Sequence, residues 1–270
     1  MRLVRTALAL LAALSVAGCA AGSSTGEFEP HTADTLTVVT EPLPTQGFWE
    51  GEGDTPTGGA EYELAKELAK RLGVDKVVVR TEDFSKIVAG DLGDADVALA
   101  LITPTDERRE VLDFTSPYLE AAPTLLVKGD REVADVQTAQ ELRWVVGANT
   151  TFVDIVDSVI RPDAPPVQIE DRAEEVRMVA DGEADVAMFD LPAAAAIVEQ
   201  EPGLSMAAQL SDTEPIAAAL PKDSPNTQAV GSAIRAMIND GTVDTITERS
   251  LGTSISDVQG SVPLLRTDNP

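Results

Sequence analysis

The chain runs to 270 residues, 43% hydrophobic and 24% charged, with a formal charge of −26, which is enough for one large folded unit or two smaller ones and excludes collagen-like or wholly disordered chains. So acidic a body repels a phosphate backbone and sets nucleic acid aside as a partner. One cysteine, Cys19, and one histidine, His31, exclude an intramolecular disulfide and leave little for thiol or transition-metal chemistry, so neither a metal nor a cofactor is expected.

At the amino terminus Arg2 and Arg5 precede an uncharged run from Thr6 to Val16, then Ala17, Gly18 and Cys19, with no acid before Glu27. That is the layout of a secretory signal. The run is shorter than the ~20 residues a membrane-spanning helix needs. The stretch Val16-Ala17-Gly18-Cys19 resembles the bacterial lipobox. The resemblance implies that residues 1–18 are removed and that Cys19 takes the acyl chains, anchoring the protein to the cell membrane on its extracytoplasmic side. An ordinary cleaved signal with an incidental cysteine is the plainer alternative. Residues 19–35, mostly Ala, Gly, Ser, Thr, Glu and Pro, read as a flexible tether, with His31 solvated inside it.

From Leu36 onward short Val/Leu/Ala runs alternate with segments of helical period, the βαβα pattern of sheets covered by helices. A strand is predicted from Leu36 to Val39. A helix follows whose inner face carries Tyr62, Ala65, Leu68, Ala69 and Leu72 and which Gly73 stops. Strands are expected at Val77 to Val79, Val97 to Leu101 and Thr124 to Val127. After Lys128 the pattern restarts, with a strand at Trp144 to Val146, a helix through Phe152, Ile155, Val156 and Val159, and a strand at Val167 to Ile169. A helix over Val176 to Ala180 and a strand at Val186 to Phe189 come next. A late strand, Ile216 to Leu220, precedes helices around Val230 to Ile238 and Val243 to Arg249. The acid run Glu170-Asp171-Arg172-Ala173-Glu174-Glu175 reads as a solvated helix face.

Val88-Ala89-Gly90-Asp91 leads to Ala95-Asp96-Val97-Ala98, and Val179-Ala180-Asp181-Gly182 leads likewise to Ala184-Asp185-Val186-Ala187. Each is a helix end, a turn and a strand, which suggests two lobes of similar build. Ligands of open α/β sheets bind at the carboxyl ends of strands, so the residues after each copy matter most. After the first come Thr103 and, five residues on, Arg108, a two-pronged donor suited to a carboxylate. After the second comes Asp190, which can hold an ammonium or simply cap the helix that follows. Between them Asn149-Thr150-Thr151 opens a helix whose free amides suit an oxygen anion, although either threonine can serve merely as a cap. An arginine, hydroxyls and amides for a carboxylate, with an aspartate for an amine, make a receptor for a zwitterion.

These segments resemble the family 3 extracellular solute-binding proteins that deliver amino acids to ABC importers. The matching words are Gly59 to Ala65, Asp83-Phe84-Ser85, Thr103 to Arg108, Asp113 to Tyr118, Asn149-Thr150-Thr151, Ala184 to Pro192 and Asp240 to Val243. The resemblance implies a two-lobed α/β, periplasmic-binding-protein-like (type II) fold, each lobe a mixed sheet flanked by helices and the two joined by hinge strands near Thr124 to Lys128 and Ala208 to Ala218. Residues 36–127 and 216–256 would form lobe 1, residues 128–215 lobe 2, and residues 257–270 a tail. It implies that Arg108 and Thr103 hold the ligand's α-carboxylate with Thr150 and Thr151, that Asp190 holds its amine, that Phe84 packs on it, and that Glu41 reads a donor-bearing side chain such as an amide or a base. Two departures stand out: Asn149 where the family often has glycine, and Glu41-Pro42-Leu43-Pro44 where a second aromatic is usual. The expected protein is no enzyme but a monomeric receptor whose partners are an amino acid and an ABC permease. A dehydratase of cyclic carboxylic acids on the same fold, or a tethered sensor, is the alternative.

Overall fold

The computed structural model describes residues 26–267. The expected signal at 1–18, Cys19 and the first part of the tether lie outside the described residues. Among the described residues no helix is long and apolar enough to cross a membrane.

Lobe 1 is organised by β1 (Thr35–Thr40), buried at all six positions. A strand so enclosed must sit mid-sheet, and Thr-Leu-Thr-Val-Val-Thr suits that place because β-branched side chains pack well on a pleated surface. A hairpin of β2 (Glu50–Glu52) and β3 (Thr55–Gly58) follows, then α1 (Ala60–Leu72), β4 (Lys76–Thr81), α2 (Phe84–Val88), β5 (Val97–Ala98), α3 (Asp106–Val111) and β6 (Leu112–Phe114). β4 and β5 flank β1 in parallel. The face of α1 is rotated from the one its apolar spacing predicts: Glu61 and Leu64 are buried with Ala65, Leu68 and Ala69, whereas Tyr62 and Leu72 only border the core. Three hydrogen-bond donors inside the lobe, described below, draw Glu61 inward.

The chain leaves lobe 1 through β7 (Leu119–Ala121) and enters a second sheet with β8 (Pro123–Lys128). Lobe 2 then contains α4 (Val136–Gln140), β9 (Trp144–Gly147), α5 (Thr151–Ile155) continued by a π-helical turn at Val156–Ile160, and β10 (Val167–Ile169). It is completed by α6 (Arg172–Asp181), β11 (Val186–Asp190), α7 (Leu191–Gln200) and β12 (Leu204–Gln209). Its strand order is β10-β9-β11-β8-β12. Two apolar clusters cover its faces, one with Phe152, Val156 and Ile160 and the other with Val176, Val179 and Ile197.

The return runs through β13 (Glu214–Ile216), antiparallel to β7, then β14 (Ala219–Pro221), which lies between β5 and β6. The strand expected from Ile216 to Leu220 is therefore two strands, because the chain must step from the ribbon joining the lobes into the sheet of lobe 1. The expected hinge at Thr124 to Lys128 is corrected in the same way: that segment pairs with β11 and β12 in the middle of lobe 2, and the crossing falls at β7 and β13. α8 (Thr227–Asn239) and α9 (Thr242–Leu251) pack beside α1 in lobe 1. Where the lobes meet, Gly47 (φ +77) leaves no room for a Cβ, which would stand 2.7 Å from both the Ala196 and the Leu251 side chains.

Both ends differ from expectation. Residues 26–34 are docked on lobe 1: Glu29 exchanges two 2.8 Å hydrogen bonds with the Asn226 side chain, the His31 N–H donates to Asp96, and Phe28 packs on the core. The His31 residue itself is exposed. The segment expected to be a tail contains α10 (Ile255–Ser261) and then crosses to lobe 2. There the Gln209 N–H donates to Pro263 O, the Leu265 N–H to Gln209 O and the Arg266 N–H to Ala134 O. The first two bonds pair the outward backbone groups of Gln209 at the end of β12, which an edge strand would otherwise leave exposed.

Candidate functional site

The lobe 1 wall rests on Glu61. Its carboxylate accepts from Trp49 Nε1 at 2.7 Å, from the Leu101 N–H at 2.9 Å and from the Tyr118 hydroxyl. Burial raises its pKa to about 7, and the three donors, Tyr118 foremost, limit the rise. Leu101 has φ +50, a left-handed conformation costly for a branched residue, and the Glu61 carboxylate on its N–H holds it there. β5 accordingly ends at Ala98, short of the predicted Leu101, and the chain turns into the loop bearing Thr103.

In that loop the Thr105 hydroxyl caps α3 by accepting from the Arg108 N–H at 3.2 Å. The cap fixes the first turn, and the Arg108 side chain folds back over it. Its Nη1 donates to Thr103 O and its Nη2 to Asn149 O, both at 2.8 Å. The guanidinium lies 5.4 Å from the ring centre of Phe84, within reach of a cation–π attraction. Burial lowers the Arg108 pKa, opposed by Glu214, Glu107 and Asp154. Both hydrogen-bonding partners are neutral carbonyls, one from each lobe, so neither cancels the charge.

Lobe 2 supplies the facing wall. Asn149 has φ +60, a region asparagine tolerates better than most residues, which accounts physically for its standing where glycine is common. The Thr150 hydroxyl donates to Gly147 O at 2.7 Å and caps nothing, while the Thr151 hydroxyl donates to Glu214 Oε2 at 2.8 Å. Glu214, on β13, interacts electrostatically with both Arg108 and Asp190. Burial raises its pKa against the pull of Thr151 and Arg108.

Asp190 occupies the cap position of α7 but makes no capping hydrogen bond, so the helix does not explain its carboxylate. It is 4% exposed. Burial raises its pKa to about 7 against the pull of Arg172, with Glu214, Glu61 and Glu41 adding to the rise. Among the described residues no donor reaches its carboxylate, and a buried carboxylate of that kind is costly by itself and well suited to an ammonium group.

Glu41, from the end of β1, meets Arg172 of lobe 2: Arg172 Nη2 and Nε lie 3.0 and 3.1 Å from Glu41 Oε1. The Arg172 guanidinium sits 5.5 Å from the Phe189 ring centre. Burial opposes its charge, but Glu41, Glu175 and Asp190 outweigh burial and raise its pKa. Glu175, one turn along α6, is buried and its pKa is raised to about 8 by that burial, against the pull of Arg172. The run from Glu170 to Glu175 is thus not a solvated face throughout, because Arg172 and Glu175 point inward.

The residues singled out from sequence form two groups where lobe 1 meets lobe 2. Phe84, Thr103 and, through Glu214, Thr151 gather around Arg108; Glu41 and Asp190 gather around Arg172. Thr150 is adjacent, with its hydroxyl committed to Gly147. Sequence reasoning missed Glu61, Arg172, Glu175 and Glu214. A cation at the first position of a helix, where the backbone dipole favours acids, was the one local signal for Arg172.

The family model for bacterial extracellular solute-binding proteins, family 3, matches residues 36–253. The glutamine-binding protein GlnH of an ABC transporter from Bacillus subtilis (strain 168) is 26% identical over 255 residues, covering 88% of this chain and 93% of that protein. Membrane-bound lytic murein transglycosylase F of Ectopseudomonas mendocina (strain ymp) is 28% identical over 223 residues; the match takes in 79% of this chain but only 45% of that longer protein. Among solved structures, an ancestral arginine-binding protein bound to glutamine superposes with a TM-score of 0.72 at 29% identity, covering 82% of this chain and all of that one. The match of two-lobed architecture and of the family model leads to one conclusion: the chain belongs to the bacterial extracellular solute-binding proteins, family 3.

Proposed function

We propose that this protein is a lipid-anchored extracytoplasmic receptor, held to the membrane through Cys19, that captures a small zwitterion, a polar amino acid, and presents it to the permease of an ABC importer. The observation that carries the reading is Asp190, a carboxylate 4% exposed at a helix start of lobe 2 with no capping hydrogen bond, while Arg108 of lobe 1 donates to two carbonyls and makes no ion pair among the described residues. Arg108 and Thr103 take the α-carboxylate, joined by Thr150 and Thr151 from lobe 2, and Asp190 takes the amine. Phe84 keeps the guanidinium oriented. Because the opposite poles of the ligand are held by different lobes, binding favours the shut arrangement, and the shut arrangement is what a permease recognises. A monomer suffices, since both walls come from one chain. Binding without turnover is supported by the Glu41–Arg172 pair, which commits one of the two acids, Glu41 and Asp190, that a dehydratase could use as proton donor.

Calorimetry of the chain from Ala20 onward against the common amino acids tests the reading. Arg108→Ala and Asp190→Ala are each expected to weaken binding by about thirtyfold or more, the equivalent of ~2 kcal/mol for a broken charge-assisted contact. Undiminished binding in both variants would overturn the assignment. A labelled fatty acid incorporated into wild type but not into Cys19→Ala tests the anchor.

A further inference from the structure

We propose that Arg172 is a specificity-determining residue: paired with Glu41 across the cleft, it limits the receptor to zwitterions whose side chains are uncharged and carry both a hydrogen-bond donor and an acceptor, of which a carboxamide is the simplest. This rests on the amino-acid-receptor reading and narrows it. Glu41 by itself would invite a base or an amide. The structure gives it an internal base, at 3.0 Å, with side-chain exposures of 12% for Arg172 and 6% for Glu41.

Three observations make Arg172 part of the binding surface rather than incidental to α6. It stands at the first helical position after the capping Asp171, where a cation is locally unfavourable, so its placement depends on the partner it reaches. Its guanidinium is held against Phe189, the residue immediately before Asp190, which puts it beside the amine site. Its remaining capacity is also specific. Both contacts to Glu41 go to Oε1, Glu41 Oε2 accepts no hydrogen bond among the described residues, and Arg172 Nη1 is buried with no partner. A neutral ion pair with one open acceptor and one open donor matches an amide, whose NH2 donates to Glu41 and whose carbonyl accepts from Arg172. Lysine or arginine would bring a second cation against Arg172, and a ligand carboxylate would face Glu41; each is disfavoured by repulsion built into the site. Glu175 adds to the pull on Arg172, but burial raises its own pKa to about 8, which keeps it largely uncharged at neutral pH, and its Oε1 is unpartnered.

Titration calorimetry with glutamine, asparagine, arginine, lysine and glutamate on wild type, Arg172→Gln, Glu41→Gln and the double variant decides the matter, with a melting curve on each protein as a folding check. Wild type is expected to bind glutamine or asparagine at least about tenfold more tightly than arginine, lysine or glutamate. Arg172→Gln exposes Glu41 and should raise the arginine-to-glutamine affinity ratio by about tenfold or more; Glu41→Gln should raise the glutamate-to-glutamine ratio likewise. The double variant should return both ratios towards wild type, and it keeps the test available if a single variant, left with an uncompensated charge, melts before the titration. Ratios are the readout because Arg172 also acts on Asp190, which changes the affinity for every amine. A wild type that prefers arginine or lysine, or single variants whose ratios stay put, overturns this inference while leaving the receptor reading intact. No binding of any of the five by folded wild type, with none from the remaining common amino acids, overturns the receptor reading itself.

Discussion

Two arginines reach across between the lobes and are partnered in opposite ways. Arg108 from lobe 1 donates to two neutral carbonyls, Thr103 O and Asn149 O, and keeps its charge. Arg172 from lobe 2 is bound to a carboxylate at 3.0 Å and has its charge cancelled. A buried guanidinium costs a great deal unless it is partnered, so the two halves of the site solve one problem with different partners. On the proposed reading, the half with Arg108 and Asp190 takes the ligand's opposite poles, and the half with Glu41 and Arg172 meets its side chain as a neutral pair.

The contrast can be broken by pH first. Burial raises the Asp190 pKa to about 7, and holding an ammonium ligand, as proposed, needs it ionised. Affinity for an amino acid should therefore fall as pH drops below 7, approaching about tenfold per unit and about a hundredfold by pH 5, measured by calorimetry across buffers, with proton release on binding near neutral pH. A pH-independent affinity would show that Asp190 does not hold the amine. A smaller effect comes from Glu214, which competes for Arg108: Glu214→Gln should tighten amino-acid binding by roughly threefold to tenfold, whereas weaker binding would make Glu214 a ligand contact instead. Stability supplies the third measurement. Glu61, Glu175 and Asp190 have folded pKa values raised to about 7, 8 and 7, above the range of an unfolded carboxylate, so the folded chain holds more protons between roughly pH 4.5 and 8 and loses stability as pH rises through that window. The melting temperature without ligand should be higher at pH 5 than at pH 8 by about 5 °C or more. The smallest effect belongs to Asn149: because its backbone carbonyl, not its side chain, meets Arg108, Asn149→Ala should leave affinity within about twofold and lower stability by about 1 kcal/mol through its φ of +60.

The same division decides what could be read from the chain. Arg108 and Asp190 were legible because each sits in a local word, a strand end followed by a helix start, and strand ends of open sheets are where ligands bind. The alternating segments of both lobes were legible for a similar reason, since burial imposes a period that short windows carry. Arg172 and Glu41 are 131 residues apart, and no spacing rule relates them. Glu214 lies in a strand of three residues, too short for a pattern. The inward turn of Glu61 defeats the apolar spacing of α1 because Trp49, Leu101 and Tyr118 each offer a donor from a different part of the chain. The crossing point of the lobes differs by a few residues from the expected one because Pro123–Lys128, five of its six positions buried, reads the same whether it bridges two sheets or lies within one.

The carboxyl-terminal segment gives the molecule a third strap. It leaves α9 in lobe 1, passes through α10 and is stitched to the rim of lobe 2 at Gln209, whose side chain also grips the carbonyls of Gln259 and Val262 at 2.6 and 2.8 Å. Parting the jaws must therefore drag this strap along or peel it from the rim. If the receptor opens and closes as proposed, those stitches constrain the motion together with the two-stranded ribbon of β7 and β13.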